Sequence, residues 1–216
     1  MSIITDAPPS PGFGAAGQPS PDASARQADA RDRADMERLA AGHDVALNEL
    51  MGRHATPVFH FLCRMVGNED DANDLAQETF VRVFKSAKSF HAKQRFSTWL
   101  FTIAANLARN HFRWRSRHPN ISLDAENAET EQTLGSTLPA NSPVPNEEAL
   151  AAERAQAVQA AVAKLPEDLR AAIVLCELEE CSVAAAAAIL EATPKALESR
   201  LYRARGILRE RLKSWL

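Results

Sequence analysis

The sequence predicts an all-α protein: two small helical domains joined by a flexible acidic linker. Three observations lead to that fold class. Apolar residues recur at three- and four-residue spacing, with no β-period anywhere along the 216 residues. A proline-containing polar break between residues 119 and 146 separates two such stretches. Near the C-terminus a short helical segment, a break and a longer basic helix follow the pattern of a helix-turn-helix.

Taken in order, residues 1–33 hold five of the twelve prolines and three of the eight glycines amid Ala, Ser, Asp and Gln. Such a stretch buries too little apolar surface to offset its ordering entropy, so it reads as a disordered tail. The first folded unit spans 34–118. Asp44 to His54 reads as a short helix, and Thr56-Pro57 as the N-cap and first position of the next. That helix carries Phe61, Leu62, Met65 and Val66 and stops at Gly67. Asp70 to Lys88 sets Ala72, Leu75, Ala76, Thr79, Phe80, Val83, Phe84 and Ala87 on one side. The helix from Arg95 does the same with Phe96, Trp99, Leu100, Ile103, Ala104 and Leu107.

The break at 119–146 contains Gly135, Pro139, Pro143 and Pro145; its 28 residues reach at most about 90–100 Å fully extended. The second unit, 147–216, reads as helices over about 147–164, 166–179, 182–191 and from Pro194 onward. Thr193 before Pro194 supplies an N-cap and fixes the start of the last helix.

The formal net charge of −3 hides segregation by sign. Thr79 to Leu123 contains nine Lys/Arg, three His and no acid, whereas Asp124 to Glu153 contains seven acids and no Lys or Arg. From Lys195 to Lys213 bases lead again, seven to two. Cys63, Cys176 and Cys181 form no C-x-x-C pair and no disulfide framework, which suits a reducing compartment. No apolar run approaches a membrane span, and the N-terminus lacks the basic start and apolar core of a signal peptide. The expectation is a soluble cytoplasmic protein without membrane insertion.

Two stretches carry chemistry. RNHFRWRSRH, Arg109 to His118, concentrates four arginines, two histidines and two large aromatics. Cations neutralise phosphates, and aromatic faces stack on unpaired bases. A solvated helix end complementing its dipole would look similar, but an acid-free window this long, with a helix-turn-helix in the same chain, favours a polyanion. DDANDLAQETF, Asp70 to Phe80, places Asp70, Asp74 and Glu78 at i, i+4 and i+8 opposite the apolar stripe. That spacing serves a solvated face and a docking face equally well.

DANDLAQETFVRVFKSAKSF, FSTWLFTIAANLARNHFR, LPEDLRAAIVLCELEECS and ESRLYRARGILRERL together resemble the extracytoplasmic-function (group IV) sigma factors of bacterial RNA polymerase. The resemblance covers about 44–118 and 147–213 in the family's order, and makes 34–118 sigma region 2 and 147–216 sigma region 4. It implies a promoter-specificity subunit that binds core RNA polymerase, through the β′ clamp helices and the β subunit, and melts promoter DNA. By resemblance, Asp74, Gln77 and Glu78 dock on the clamp helices. Phe90, His91, Lys93 and Arg95 belong to the loop that captures a flipped base of the −10 element. Asn106, Arg109, Asn110, Arg113 and Arg115 line the path of that DNA. Lys195, Glu198, Ser199, Arg200, Tyr202, Arg203 and Arg205 meet the −35 element. An anti-sigma factor is implied as a further partner, and in this family the linker passes toward the RNA exit path.

Two departures stand out. Glu198 occupies a position where relatives usually carry Lys or Arg; a carboxylate there suits a cytosine amino group instead. The first helix of the helix-turn-helix reads Val183-Ala184-Ala185-Ala186-Ala187-Ala188-Ile189-Leu190, where relatives often have an acidic pair. Alanine favours the helix but removes polar surface. His60 and Cys63, with His54 nearby, have the spacing of metal ligands and equally that of ordinary core positions, the commoner case. No Ser-His-Asp set, phosphate loop or zinc spacing suggests an enzyme, a metal or a cofactor. A stand-alone helix-turn-helix regulator would explain 166–213 but leave DLAQETF idle. A partner-sequestering module that reads no DNA is the other alternative.

Overall fold

The computed structural model describes residues 21–91, 93–118 and 146–215, with no strand among them. Eight α-helices follow one another in these segments, and the first corrects the sequence reading. α1 runs Pro21–Ala40, so residues 21–33 are helical rather than part of a disordered tail; residues 1–20 lie outside the described residues. The composition misleads here because what holds α1 lies twenty residues away. Met36 and Leu39 are buried, and so are Asp32 and Asp35. The two carboxylates take both arms of Arg53, at 2.9 and 2.6 Å.

α2, Val45–Val66, is a second correction: one continuous helix instead of two, with Pro57 inside it. An interior proline forfeits a backbone hydrogen bond at about 3 kcal/mol. Ala46, Leu50, Val58, Phe61, Leu62 and Met65, on both sides of Pro57, bury in one core. At about 1.5–3 kcal/mol per large side chain, that burial outweighs the loss. Gly67 ends the helix as expected, at φ 77°, its N–H donating to the Cys63 carbonyl.

α3, Glu69–Lys85, is capped by Asn68, whose side chain accepts from the Asp71 N–H at 2.9 Å. It ends three residues before the expected Lys88, and a 3-10 turn over Ala87–Ser89 leads into the next loop. α4, Phe96–Arg117, packs Phe96, Leu100, Ala104 and Leu107 inward, as its spacing predicts. A second row of buried residues, Phe101, Ala105 and Ala108, is added by the tertiary fold.

The expected linker, 119–146, lies outside the described residues up to 145, and α5 begins at its end, spanning Asn146–Ala163. α6, Glu167–Ile173, continues into a π-helical turn over Val174–Leu178. α7, Val183–Ile189, is capped by Ser182. α8, Pro194–Arg211, is capped by Thr193, whose hydroxyl accepts from the Ala196 N–H at 3.2 Å. Leu197, Leu201 and Ala204 of α8 close on α6 and α7.

The two units are also in contact with each other. One continuous set of buried residues runs from Phe61 and Phe96 in the first to Leu175, Ile189 and Leu197 in the second. α7 lies along α4, and α2 touches α5, α6 and the π-helical turn.

Candidate nucleic-acid interface

α3 divides by face. Ala72, Ala76, Thr79, Phe80 and Val83 point into the core. Asp74 and Gln77 are exposed on the opposite side, with Glu78 partly so. Glu78 accepts from Arg82 Nε at 2.9 Å, and that hydrogen bond holds its carboxyl below the usual range. Asp71 belongs elsewhere: it lies 3.3 Å from His111 Nε2 and 3.7 Å from Arg115 Nη1, at the basic end of α4.

The loop between the 3-10 turn and α4 rests on aromatics. Phe90 is half-buried, its ring 5.2 Å from Trp99 and 6.1 Å from Phe96. Its ring is therefore occupied by packing, which separates it from the other residues expected to meet −10 DNA in this loop. His91, Lys93 and Arg95 are exposed above that cluster.

Along α4, Asn110, Arg113 and Arg115 are exposed, while Asn106 and Arg109 are half-buried. Arg109 Nη1 donates to Asn106 Oδ1 at 2.8 Å, and Asn106 Nδ2 lies 3.5 Å from Glu191 Oε1. Glu167 of α6 sits in the field of Arg109, Arg113 and Arg170; burial raises its carboxyl more than these cations lower it. Trp114 is 49% exposed and stacks on His118 at 5.0 Å. It is an exposed aromatic within a basic segment that the residue-by-residue resemblance passes over.

α8 presents Lys195, Glu198, Ser199, Tyr202, Arg203 and Arg205 outward; Tyr202 is 81% exposed, and Arg200 is half-buried. Three of these cations already face acids of the same unit. Asp168 lies 3.8 Å from Arg200 and 3.9 Å from Arg203, and Glu177 meets Arg205 at 2.5 Å. Neither acid is recognisable in the sequence as part of this surface, because they sit on α6 and its π-helical turn, with all of α7 between them and α8.

Among the described residues no group of three or more His, Cys, Asp or Glu is arranged to hold a metal ion. His60 is exposed and Cys63 half-buried. All three cysteines are free, and burial pushes their thiols up, Cys181 to about 11. Thiols so shifted are poor nucleophiles at neutral pH. Among the described residues no helix is long and apolar enough to cross a membrane.

Comparison with known proteins gives consistent matches. Residues 50–118 match the family described as Sigma-70 region 2, and residues 155–208 match Sigma-70, region 4. The ECF RNA polymerase sigma factor SigW of Bacillus subtilis is 32% identical over 179 residues, covering 82% of this chain and 95% of SigW. The ECF RNA polymerase sigma-E factor of Haemophilus influenzae is 34% identical over 183 residues, 84% of this chain and 95% of its own. Among solved structures, CnrH in complex with the cytosolic domain of CnrY is similar at TM-score 0.62 and 27% identity. It covers 85% of this chain and 98% of that one. The sigma factor RpoE of Bartonella quintana, in complex with the anti-sigma factor NepR, gives TM-score 0.57 and 25% identity over 77% of this chain and 96% of that one.

Proposed function

This chain belongs to the ECF sigma factors of the sigma-70 family, and from that premise we propose how its surfaces divide the work of transcription initiation. The outward face of α3, with Asp74, Gln77 and Glu78, docks on core RNA polymerase. The loop residues His91, Lys93 and Arg95, held up by Phe90, capture an unpaired base of the −10 element. Asn106, Arg109, Asn110, Arg113 and Arg115 follow the same strand along α4. Lys195, Glu198, Ser199, Arg200, Tyr202, Arg203 and Arg205 read the −35 element in the major groove. The protein works in the cytoplasm as an initiation factor and not as an enzyme. A regulator of the anti-sigma kind, such as those bound to the sigma factors of the solved complexes, is a further partner.

The observation that carries this reading is the pairing of two separate outward faces on one chain. An acidic face backs a buried stripe on α3, and a capped, basic helix presents one side of its first three turns to solvent. A stand-alone helix-turn-helix regulator would use only the second face.

The test is run-off transcription by core polymerase on a randomised DNA library, with and without this protein. The expected result is transcripts that begin downstream of a shared pair of elements. Asp74→Arg with Glu78→Arg should abolish them and co-purification with core while leaving helicity unchanged, since charge reversal on an exposed face costs little folding energy. Transcripts no different from those of core alone would overturn the reading.

A further inference from the structure

The end of α4 carries a large side chain for which the core has no use. Trp114 is 49% exposed, while Leu107 and Ala108, shortly before it, are buried. A single exposed apolar residue is ordinary on a protein surface. Trp114 differs in that its ring is held. His118 stacks on it with ring centroids 5.0 Å apart and planes within 26°. His118 is itself tethered: its Nδ1 donates to the Trp114 carbonyl at 2.9 Å, and its backbone N–H donates to the same oxygen at 3.1 Å. The indole is therefore ordered before any partner arrives, which preserves more of the contact it makes.

Its neighbours define what that partner is. Trp114 follows Asn106 and Asn110 at four-residue spacing, so the three lie in one row along the helix. Arg113 and Arg117 are exposed beside it, and α4 contains no acid. On the side turned to the fold, His111 lies 3.3 Å from Asp71 of α3, which holds the helix end in place. Cations suit phosphates, and a fixed aromatic face between them suits a nucleobase. A protein partner would have to bring acids for the arginines and a separate apolar pocket for the ring, whereas one nucleotide supplies both. α4 rises 1.5 Å per residue, so Trp114 stands about 28 Å beyond Arg95 of the loop. At about 3.4 Å per nucleotide of one strand, that span is about eight nucleotides, too far for ring and loop to share a base.

We propose that Trp114, backed by His118, is a second stacking platform of this surface: it covers an open nucleobase face at the far end of α4 from the loop. This rests on the assignment of α4 to −10 DNA made above. A melting promoter offers two such faces, that of an unpaired base and that of the last pair where duplex resumes. Both present the same chemistry to an indole.

The test uses core polymerase loaded with the full-length chain, and probes from the promoter selected above. One is a single-stranded −10 oligonucleotide; the others are forks in which the same strand runs into duplex on either side of the element. Binding is read by fluorescence anisotropy across salt concentrations. Trp114→Leu should weaken binding about fivefold to a hundredfold, the range for one stacked base. The salt dependence should stay as it is, because no phosphate contact is lost. Trp114→Phe, which keeps a smaller ring face, should lose less than Trp114→Leu. Loss on every probe assigns the platform to an unpaired base, and loss confined to one fork assigns it to the end of that duplex. Parent-like binding of all probes by Trp114→Leu would overturn the proposal, and so would equal loss by the Phe and Leu variants. Arg109→Ala with Arg113→Ala tests the premise separately. Unchanged −10 binding by that pair sinks the assignment of α4, whereas weakened binding there beside parent-like Trp114→Leu sinks the platform alone.

Discussion

His54 Nε2 lies 2.8 Å from Asp32 Oδ2, joining α1 to α2 across twenty-two residues of sequence. The same imidazole meets the Phe96 ring edge-on at 5.1 Å, so α1 reaches the aromatic base of the loop proposed to meet −10 DNA through one histidine. Burial alone would raise the Asp32 carboxyl, but hydrogen bonds from His54 and Arg53 overcome it and hold the group below its usual value of 3.8. A carboxyl lowered in the folded state contributes stability above its unfolded pKa, and loses it as pH falls through the folded one. Asp32→Ala should therefore cost about 2 kcal/mol at pH 7, the scale of hydrogen bonds to a charged group. The gap between variant and parent should close below about pH 3.8. Urea unfolding at a series of pH values measures both.

Glu191 stands in the left-handed region at φ 52°, in the turn of the helix-turn-helix where glycine is the usual occupant. That conformation costs a non-glycine residue about 1–2 kcal/mol, part of which glycine returns as backbone entropy. Glu191→Gly should stabilise the protein by about 0.5–1 kcal/mol. A thermal midpoint equal to or lower than the parent's would show that the Glu191 contact to Asn106 outweighs the backbone term.

Arg205 must leave Glu177 before it reaches a phosphate. Exposed pairs of this kind are worth at most about 1 kcal/mol. Glu177→Gln should then tighten −35 binding up to about fivefold at low salt and less at high salt. Arg205→Ala should weaken binding to every sequence and flatten the salt dependence by about one unit. Titrations of one duplex across salt concentrations separate the two effects.

Replacing His91 through Gln94 with a Gly-Ser segment removes the exposed His91, Lys93 and Gln94 but keeps Arg95 and the cluster of Phe90, Phe96 and Trp99. Core binding and −35 binding should persist, while open-complex formation falls, since one stacked base is worth about 1–3 kcal/mol. Permanganate reactivity of −10 thymines on duplex DNA reads this directly. A pre-melted bubble should rescue the variant partly. Parent-like reactivity on duplex DNA would assign capture to another surface, with the exposed Trp114 the first to examine.

Local pattern determined a good deal of this protein. The three-four spacing of Phe96, Leu100, Ala104 and Leu107, the caps at Ser182 and Thr193 and the stop at Gly67 are all near-neighbour effects, decided within one or two helical turns. The residue types that chemistry needs on α3, α4 and α8 are also visible in order along the chain. What sequence could not settle depends on partners far away in the chain. α1 is a helix because Arg53 and His54 receive its buried aspartates, and Pro57 stays inside α2 because both sides of it feed one core. Of the α7 alanines, Ala186 and Ala187 look like a loss of polar surface until α7 is packed against α4 and α8, where both are buried. The arginines of α8 look free until Asp168 and Glu177 stand beside them. Ion pairs and helix-on-helix contacts carry no sequence period, so only the tertiary fold assigns them.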